Sequence, residues 1–394
     1  MHILYDLAAT QPSTGKYHGG GEYGKVVFQR LVALRDDERI SAFYRPERWL
    51  DPSVKQCADA HANVRLLSYP ENRDLTEVIR ETAPDRFYTA LPYGYYDVDF
   101  SDVELVMTIH GLRPIENPTD RYEYRFQRSL WGWVKFIGKQ LIPSGYVKMH
   151  HRRMKKLLEV PARKKSIVVP SRHTKYALLD TFGAVEFDDV RVLYSPEQES
   201  ESPASPTALE QRGIRPKRYI LMVSGGRWRK NAYRAVHALD DLFSRWPEID
   251  LDVVVTGVDS PSLVFGALQN RDQFQFLDYV DRPILEALYR EAYCLLYPTL
   301  NEGFGYPPLE AMRYETPVLC SAVTSLPEVC QDAALYFNPY APSEIRNRVL
   351  MIERDKDIRQ TYACRAGSRH EEISKQQDQM LTELCRLILG RTTS

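Results

Sequence analysis

Strand-like and helix-like segments alternate along this chain in two successive runs, and that pattern restricts the fold more than any other feature. In the first run, apolar stretches fit strands at residues 3–7, 40–44, 64–69, 86–90, 104–110, 166–170 and 190–194. Helical stretches such as 22–34 and 174–182 lie between them. The second run places strands at 219–223, 251–256, 273–277, 293–297, 317–320 and 335–337, with helices at 232–243, 283–292, 307–314 and 343–354. A last helical stretch, 358–389, is expected to break near Gly367. Such alternation predicts βα units on largely parallel sheets. Ser195 to Pro216, rich in glutamate, serine and proline, reads as a linker. The expected organisation is a Rossmann-like domain at 1–196 with a basic, aromatic insertion at 113–164, a linker at 197–216, and a second Rossmann-like domain at 217–394. The last helix is expected to pack back on the first domain. Two such sheets facing each other across a cleft would hold ligands beyond the carboxyl ends of their strands.

The chain's 394 residues exceed one ordinary core, in keeping with two domains. A net charge of −1 gives no global field for nucleic acid. The six cysteines are scattered and form no CxxC pair, so buried thiols in a reducing compartment fit better than a disulfide framework or zinc site. The N-terminus runs straight into a strand, without the features of a signal peptide, and no apolar run reaches the length of a membrane span. A cytoplasmic protein is expected.

Four stretches carry candidate chemistry. Gly19-Gly20-Gly21-Glu22-Tyr23-Gly24 follows the first strand and opens a helix whose amides can face a ligand, or it merely connects two elements. Met107-Thr108-Ile109-His110-Gly111 delivers a histidine at a strand end, able to meet a hydroxyl or phosphate, although most histidines so placed are structural. Ser224-Gly225-Gly226-Arg227-Trp228-Arg229-Lys230-Asn231 brings three cations to a glycine turn, which suits a departing diphosphate. Pro298-Thr299-Leu300-Asn301-Glu302-Gly303-Phe304-Gly305-Tyr306-Pro307-Pro308-Leu309-Glu310 turns from a strand into a helix, with prolines suited to its first positions. The amides there suit phosphate, and the flanking carboxylates suit hydroxyls of a sugar or ribose. Asp97-Val98-Asp99 and Asp250-Leu251-Asp252 are formal DxD pairs that read as structural, and no metal is expected.

Residues 121–165 carry thirteen lysines and arginines against Glu123 and Glu159, with aromatics interleaved. Trp131, Trp133, Phe136 and Ile137 beside Lys135 and Lys139 fit an element lying on an anionic membrane surface. They also fit an inserted helical pair with a solvated basic face.

Together these residues resemble the family-4 retaining glycosyltransferases, also called glycosyl transferases group 1, which have the GT-B fold. Residues 298–322, PTLNEGFGYPPLEAMRYETPVLCSA, are similar to the family's donor motif of two glutamates eight positions apart, here Glu302 and Glu310. Lys230-Asn231 and Tyr279-Val280-Asp281 match as well; the likeness is dense over 219–339 and thin in the first half. It implies that Arg227 and Lys230 hold the donor diphosphate. It further implies that Gly303, Phe304 and Gly305 give backbone contacts, Glu302 meets the transferred sugar, Glu310 the ribose, and Val280 the base. Gly20 and Gly21 would approach the phosphate or acceptor, and His110 the reacting carbon. The cationic loop is shorter than the family's, leaving Arg227 and Arg229 both as candidate phosphate ligands, Arg227 the favoured one.

The function so implied is metal-independent, retaining hexosyl transfer from a nucleotide sugar (GDP-, UDP- or dTDP-linked) to a saccharide or polyprenyl-linked acceptor. It would serve cell-surface polysaccharide or glycolipid synthesis, with no cofactor and peripheral membrane contact through 121–165. Retention could run by front-face attack or through a covalent intermediate on a carboxylate. Two competing readings are a sugar-nucleotide epimerase on a similar fold and a catalytically silent, membrane-associated scaffold.

Overall fold

The computed structural model describes residues 1–12, 19–70, 74–197 and 202–391; positions 198–201 of the expected linker lie outside the described residues. The chain forms two compact units. Unit 1 comprises Met1–Leu112, Lys148–Gln198 and Ser374–Ser394, and unit 2 comprises Arg113–Val147 and Glu199–Ile373.

Unit 1 is built on seven parallel strands: β1 (His2–Asp6), β2 (Arg39–Tyr44), β3 (Val64–Ser68), β4 (Arg86–Thr89), β5 (Phe100–Thr108), β6 (Ala162–Val169) and β7 (Val190–Val192). Their order is β3-β2-β1-β4-β5-β6-β7. Ile3, Tyr5, Tyr88, Val106 and Val168 pack against Val27, Phe28 and Leu31 of the Gly19–Leu34 helix and against Leu381, Leu384 and Ile388 near the C-terminus. Unit 2 holds six parallel strands: β8 (Tyr219–Met222), β9 (Asp252–Val255), β10 (Phe274–Phe276), β11 (Cys294–Tyr297), β12 (Val318–Ser321) and β13 (Ala334–Phe337), ordered β10-β9-β8-β11-β12-β13. β8, β11 and β12 are buried at every position, as strands covered on both faces should be. Ile220, Val253, Leu296 and Leu319 meet Ala235, Leu239 and Leu242 of the Ala232–Arg245 helix, whose spacing keeps those side chains on one face. Both units are Rossmann-like, as the alternation predicts.

Three features differ from the sequence expectation. The Gly19–Leu34 helix includes the glycines, which form its first turn instead of a preceding loop. The helix Lys356–Ile388 runs unbroken through Gly367. A side chain there would crowd Glu315, with its Cβ 3.0 Å from Cγ, so the glycine serves close packing and its propensity cost of about 1 kcal/mol is carried by the long helix. Residues 113–147, assigned from sequence to the first domain, fold with unit 2 because their polar side chains pair with Glu302 on its β11 loop and with Arg234 on its Ala232–Arg245 helix. We call the stretch 113–141 the strap.

Candidate active site

In unit 2 the strand order reverses between β8 and β11, which pair directly in parallel. Crevices at such a reversal, beyond the carboxyl ends of the strands, are where open α/β sheets bind ligands. Both chemistry-bearing loops of the second half emerge there: β8 leads into Gly225–Lys230 positions, and β11 leads into Pro298 to Gly305.

The β8 loop is held by backbone. Gly225 N donates to Thr256 O at 2.8 Å and Gly226 N to Gly257 O at 2.9 Å. A Cβ on Gly226 would stand 2.3 Å from the Gly257 carbonyl oxygen, so only glycine fits. Trp228–Lys230 is a short 3-10 turn, and Asn231 takes a left-handed conformation (φ 57°) to start the Ala232–Arg245 helix. This geometry separates the three cations. Arg227 is exposed. Arg229 is turned to the strap, donating to Asn117 O at 3.0 Å and lying 4.2 Å over the Trp228 ring. Lys230 points inward.

Lys230 Nζ lies 2.6 Å from Glu302 Oε1 and 2.5 Å from the Tyr297 hydroxyl. The same Oε1 accepts from Tyr297 at 2.7 Å and from Thr299 at 2.8 Å. Oε2 accepts from Arg113 of the strap at 3.2 Å. Glu302 is buried, and burial alone would raise its pKa; Lys230 first, then Arg113 and the hydrogen bonds, outweigh this and hold it at about 2. Burial lowers the Lys230 pKa against the opposing pull of Glu302, and Arg113 and Arg227 push it the same way as burial. The result is a buried ion pair whose carboxylate is a very weak base and whose ammonium sits beside an exposed arginine. Oε1 is fully used by three donors, which leaves Oε2 as the edge of Glu302 open to a further donor.

The turn after Glu302 is pinned from below. Glu302 N donates to Thr324 Oγ1 at 3.0 Å, and Ser325 Oγ donates to Phe304 O at 2.6 Å. Gly305 has φ 125°, and a side chain there would meet Leu326 Cδ2 at 2.7 Å. Tyr306–Met312 then forms a seven-residue helix, with Pro307 and Pro308 in its first turn. Glu310, on that helix, pairs with Arg282 at 2.7 Å. Arg282 begins the helix after Val280 and Asp281, and Asp281 caps it by accepting from Ile284 N at 3.2 Å. Glu310 and the Val280 loop are thus joined through one arginine.

Sequence reasoning did not find Arg113, Glu116 or Asn117. Glu116 accepts from Asn301 at 3.1 Å, across 185 positions of chain. No local pattern marks such contacts. Thr299 lies inside the motif and Tyr297 ends β11 just before it, and their spacing of three and five residues from Glu302 is the signal that the sequence offers. Asp250 and Asp252 both pair with Arg215, at 2.7 and 2.8 Å, which gives that DxD a structural role. Among the described residues, no group of three or more His, Cys, Asp or Glu side chains is gathered to hold a metal ion.

In unit 1, His110 stands just past β5. Its Nε2 lies 2.9 Å from Ala90 O; a carbonyl only accepts, so Nε2 carries the hydrogen. The ring meets Tyr23 edge-on at 4.8 Å, on the helix that Gly20 and Gly21 open. A Cβ on Gly20 would stand 2.8 Å from Leu91 Cδ2. Beside them Asp6, buried at the end of β1, accepts from Thr89 at 2.7 Å, Tyr95 at 2.8 Å and Ala9 N at 2.9 Å. Burial outweighs these bonds and raises its pKa to about 6.

Comparison with known proteins bears on the family and the fold. Residues 206–369 match the family described as glycosyl transferases group 1. The O-antigen chain mannosyltransferase RfbU of Salmonella typhimurium is 40% identical over 90 residues, 23% of this chain and only 26% of that protein. The O-antigen chain mannosyltransferase B of Escherichia coli is 27% identical over 388 residues, covering 95% of this chain and 96% of that one. Among solved structures, WaaG, a glycosyltransferase involved in lipopolysaccharide biosynthesis, superposes with a TM-score of 0.66 at 16% identity, over 98% of this chain and all of its own. That likeness supports the GT-B fold. The likeness to the glycosyl transferases group 1 family thus covers residues 206–369, the stretch that holds the paired glutamates and the cationic loop.

Proposed function

We propose that the protein is a retaining, metal-independent glycosyltransferase that moves a hexose, mannose by analogy with its relatives, from a nucleoside-diphosphate donor to a polyprenyl-linked saccharide. Its product would be an O-antigen-like cell-surface polysaccharide, and it would work in the cytoplasm at the inner membrane face. The observation that carries this reading is the buried Lys230–Glu302 pair at the β8/β11 reversal with Arg227 exposed beside it. Two cations at that point suit the charge that builds on a leaving diphosphate. In this reading Oε2 of Glu302 receives a donor-sugar hydroxyl, and Glu310 with the Val280 loop takes the nucleoside. A carboxylate with a pKa of about 2, tied by three donors, suits a holding role better than proton transfer. That favours front-face attack, with the leaving phosphate taking the acceptor's proton. His110 would sit near the reacting carbon, and Gly20 and Gly21 near the phosphate or acceptor.

Thermal shift with a panel of sugar nucleotides identifies the donor, and product formation with a polyprenyl-linked acceptor measures transfer. Glu302→Ala and Lys230→Ala should each lower transfer by at least about a hundredfold while the fold survives. Wild-type turnover in either variant would overturn the site. Interconversion of the donor sugar without acceptor would instead favour an epimerase.

A further inference from the structure

The Leu130–Leu141 helix has its amphipathic faces reversed. Lys139, Gly132, Phe136 and Gln140 turn toward the rest of unit 2. Lys139 pairs with the buried Glu123, Gly132 leaves only 2.7 Å between a Cβ and Gln127 Oε1, and Gln140 donates to Asp120 O at 3.4 Å. Phe136 lies against Tyr124, with ring centroids 6.4 Å apart. Leu130, Val134, Ile137 and Leu141 occupy the opposite side at helical spacing and are exposed, Leu130 by 83% and Leu141 by 76%, while Trp133 sits at the flank with its ring 6.1 Å from that of Tyr124. Trp131 and Ile142 extend this surface, 65% and 63% exposed. No residue of the helix is buried.

A water-facing stripe of large apolar side chains needs an occupant. Charge selects it. From residue 124 to 158 the sequence contains no aspartate or glutamate, while Arg128, Lys135 and Lys148 are among its cations. Lys135 lies 5.6 Å over the Trp131 ring, so apolar and cationic groups are presented together. Tryptophan and lysine at the edges of an apolar helical face suit the boundary between lipid headgroups and acyl chains. Among the described residues no helix is long and apolar enough to cross a membrane, so the fitting geometry is a helix lying in the plane of the surface.

We propose that Leu130–Leu141 is an interfacial anchor that seats unit 2 on an anionic lipid leaflet. The inference stands independently of the transferase reading. It has a consequence for the candidate site within the same unit. The strap that carries the helix also holds the donor-site loops, through Arg113 on Glu302, Glu116 on Asn301, Asn117 O on Arg229 and Asp120 on Arg234. Seating the helix therefore fixes the direction in which the Glu302 edge faces the leaflet.

Vesicle flotation of the full chain tests the proposal. The protein should float with equimolar phosphatidylglycerol and phosphatidylcholine, and at least about tenfold less with phosphatidylcholine alone. Val134→Asp/Ile137→Asp/Leu141→Asp should weaken binding to the anionic vesicles by at least about a hundredfold. Its melting temperature and its thermal shift with sugar nucleotide should stay at wild-type values, because the replaced side chains make none of the inward contacts. Lys135→Glu should lower flotation selectively on anionic vesicles. Undiminished flotation of the triple variant, or equal binding of the wild type to neutral vesicles, would overturn the proposal. So would a wild type that ignores both vesicles and sediments as a dimer that the triple variant dissolves, since the stripe's occupant would then be a second copy.

Discussion

Glu302 is the residue on which stability and function meet. Its pKa of about 2, against an ordinary 4.5, means that the folded state favours the charged form. That preference stabilises the fold above pH 4.5 and is lost as pH falls toward 2. Asp6 has the opposite sign. Its carboxyl is raised from 3.8 to about 6, so its contribution is full below 3.8 and is lost as pH rises through 6. Thermal melts across pH should resolve the two: Glu302→Gln should flatten the acid limb below pH 4.5, and Asp6→Asn should flatten the profile between pH 4 and 6. A further difference concerns pairing. Lys230→Met leaves Glu302 buried with Arg113 as its remaining cation, and removing one partner of a buried pair costs about 3–5 kcal/mol. The double variant Lys230→Met/Glu302→Gln, which leaves only the half-exposed Arg113 without its carboxylate, should melt higher than Lys230→Met alone. The sequence made Glu302 and Lys230 legible because both lie at strand-to-helix turns with glycine beside them. It did not make Arg113 legible, because its meaning depends on a contact across 189 positions.

At the level of elements, the thirteen strands among the described residues were visible as apolar runs, most plainly β8, β11 and β12, since a strand covered on both faces has no polar side to interrupt it. Their ends were less visible: β5 starts at Phe100, four residues before its expected beginning, where its pairing with β6 shifts register. The strap was misassigned for a similar reason. Its position in the chain lies between strands of unit 1, while its partners lie on the loops of unit 2 and on the helix Ala232–Arg245. Arg234 and Asp120 form its strongest tie, a buried bidentate pair at 2.7 and 3.1 Å, with Tyr122 packed on Tyr233 at 4.4 Å. Asp120→Ala should lower stability by about 3 kcal/mol in urea unfolding and reduce transfer, since Arg113 and Asn117 share the freed segment. Gly226→Ala should cost about 2 kcal/mol or more by pressing a methyl group on the Gly257 carbonyl, and Gly19→Ala, with no atom near, should cost nothing measurable.

On the scale of the whole molecule, a donor that binds only the folded chain should raise its unfolding free energy by about 2.7 kcal/mol at a hundred times its dissociation constant. Differential scanning calorimetry should show that gain in wild type and lose most of it in Lys230→Ala. The two units share the chain unequally: unit 2 takes Arg113–Val147 from within the first half, and unit 1 takes Ser374–Ser394 from the far end. Recombination between related genes at the linker would therefore not exchange whole modules. A chimaera joined near residue 200 would inherit the donor loops from one parent and the arginine that braces them from the other. Inheritance of donor preference should then follow two separated gene segments, and functional hybrids should be those in which residues 113–147 travel with 199–373.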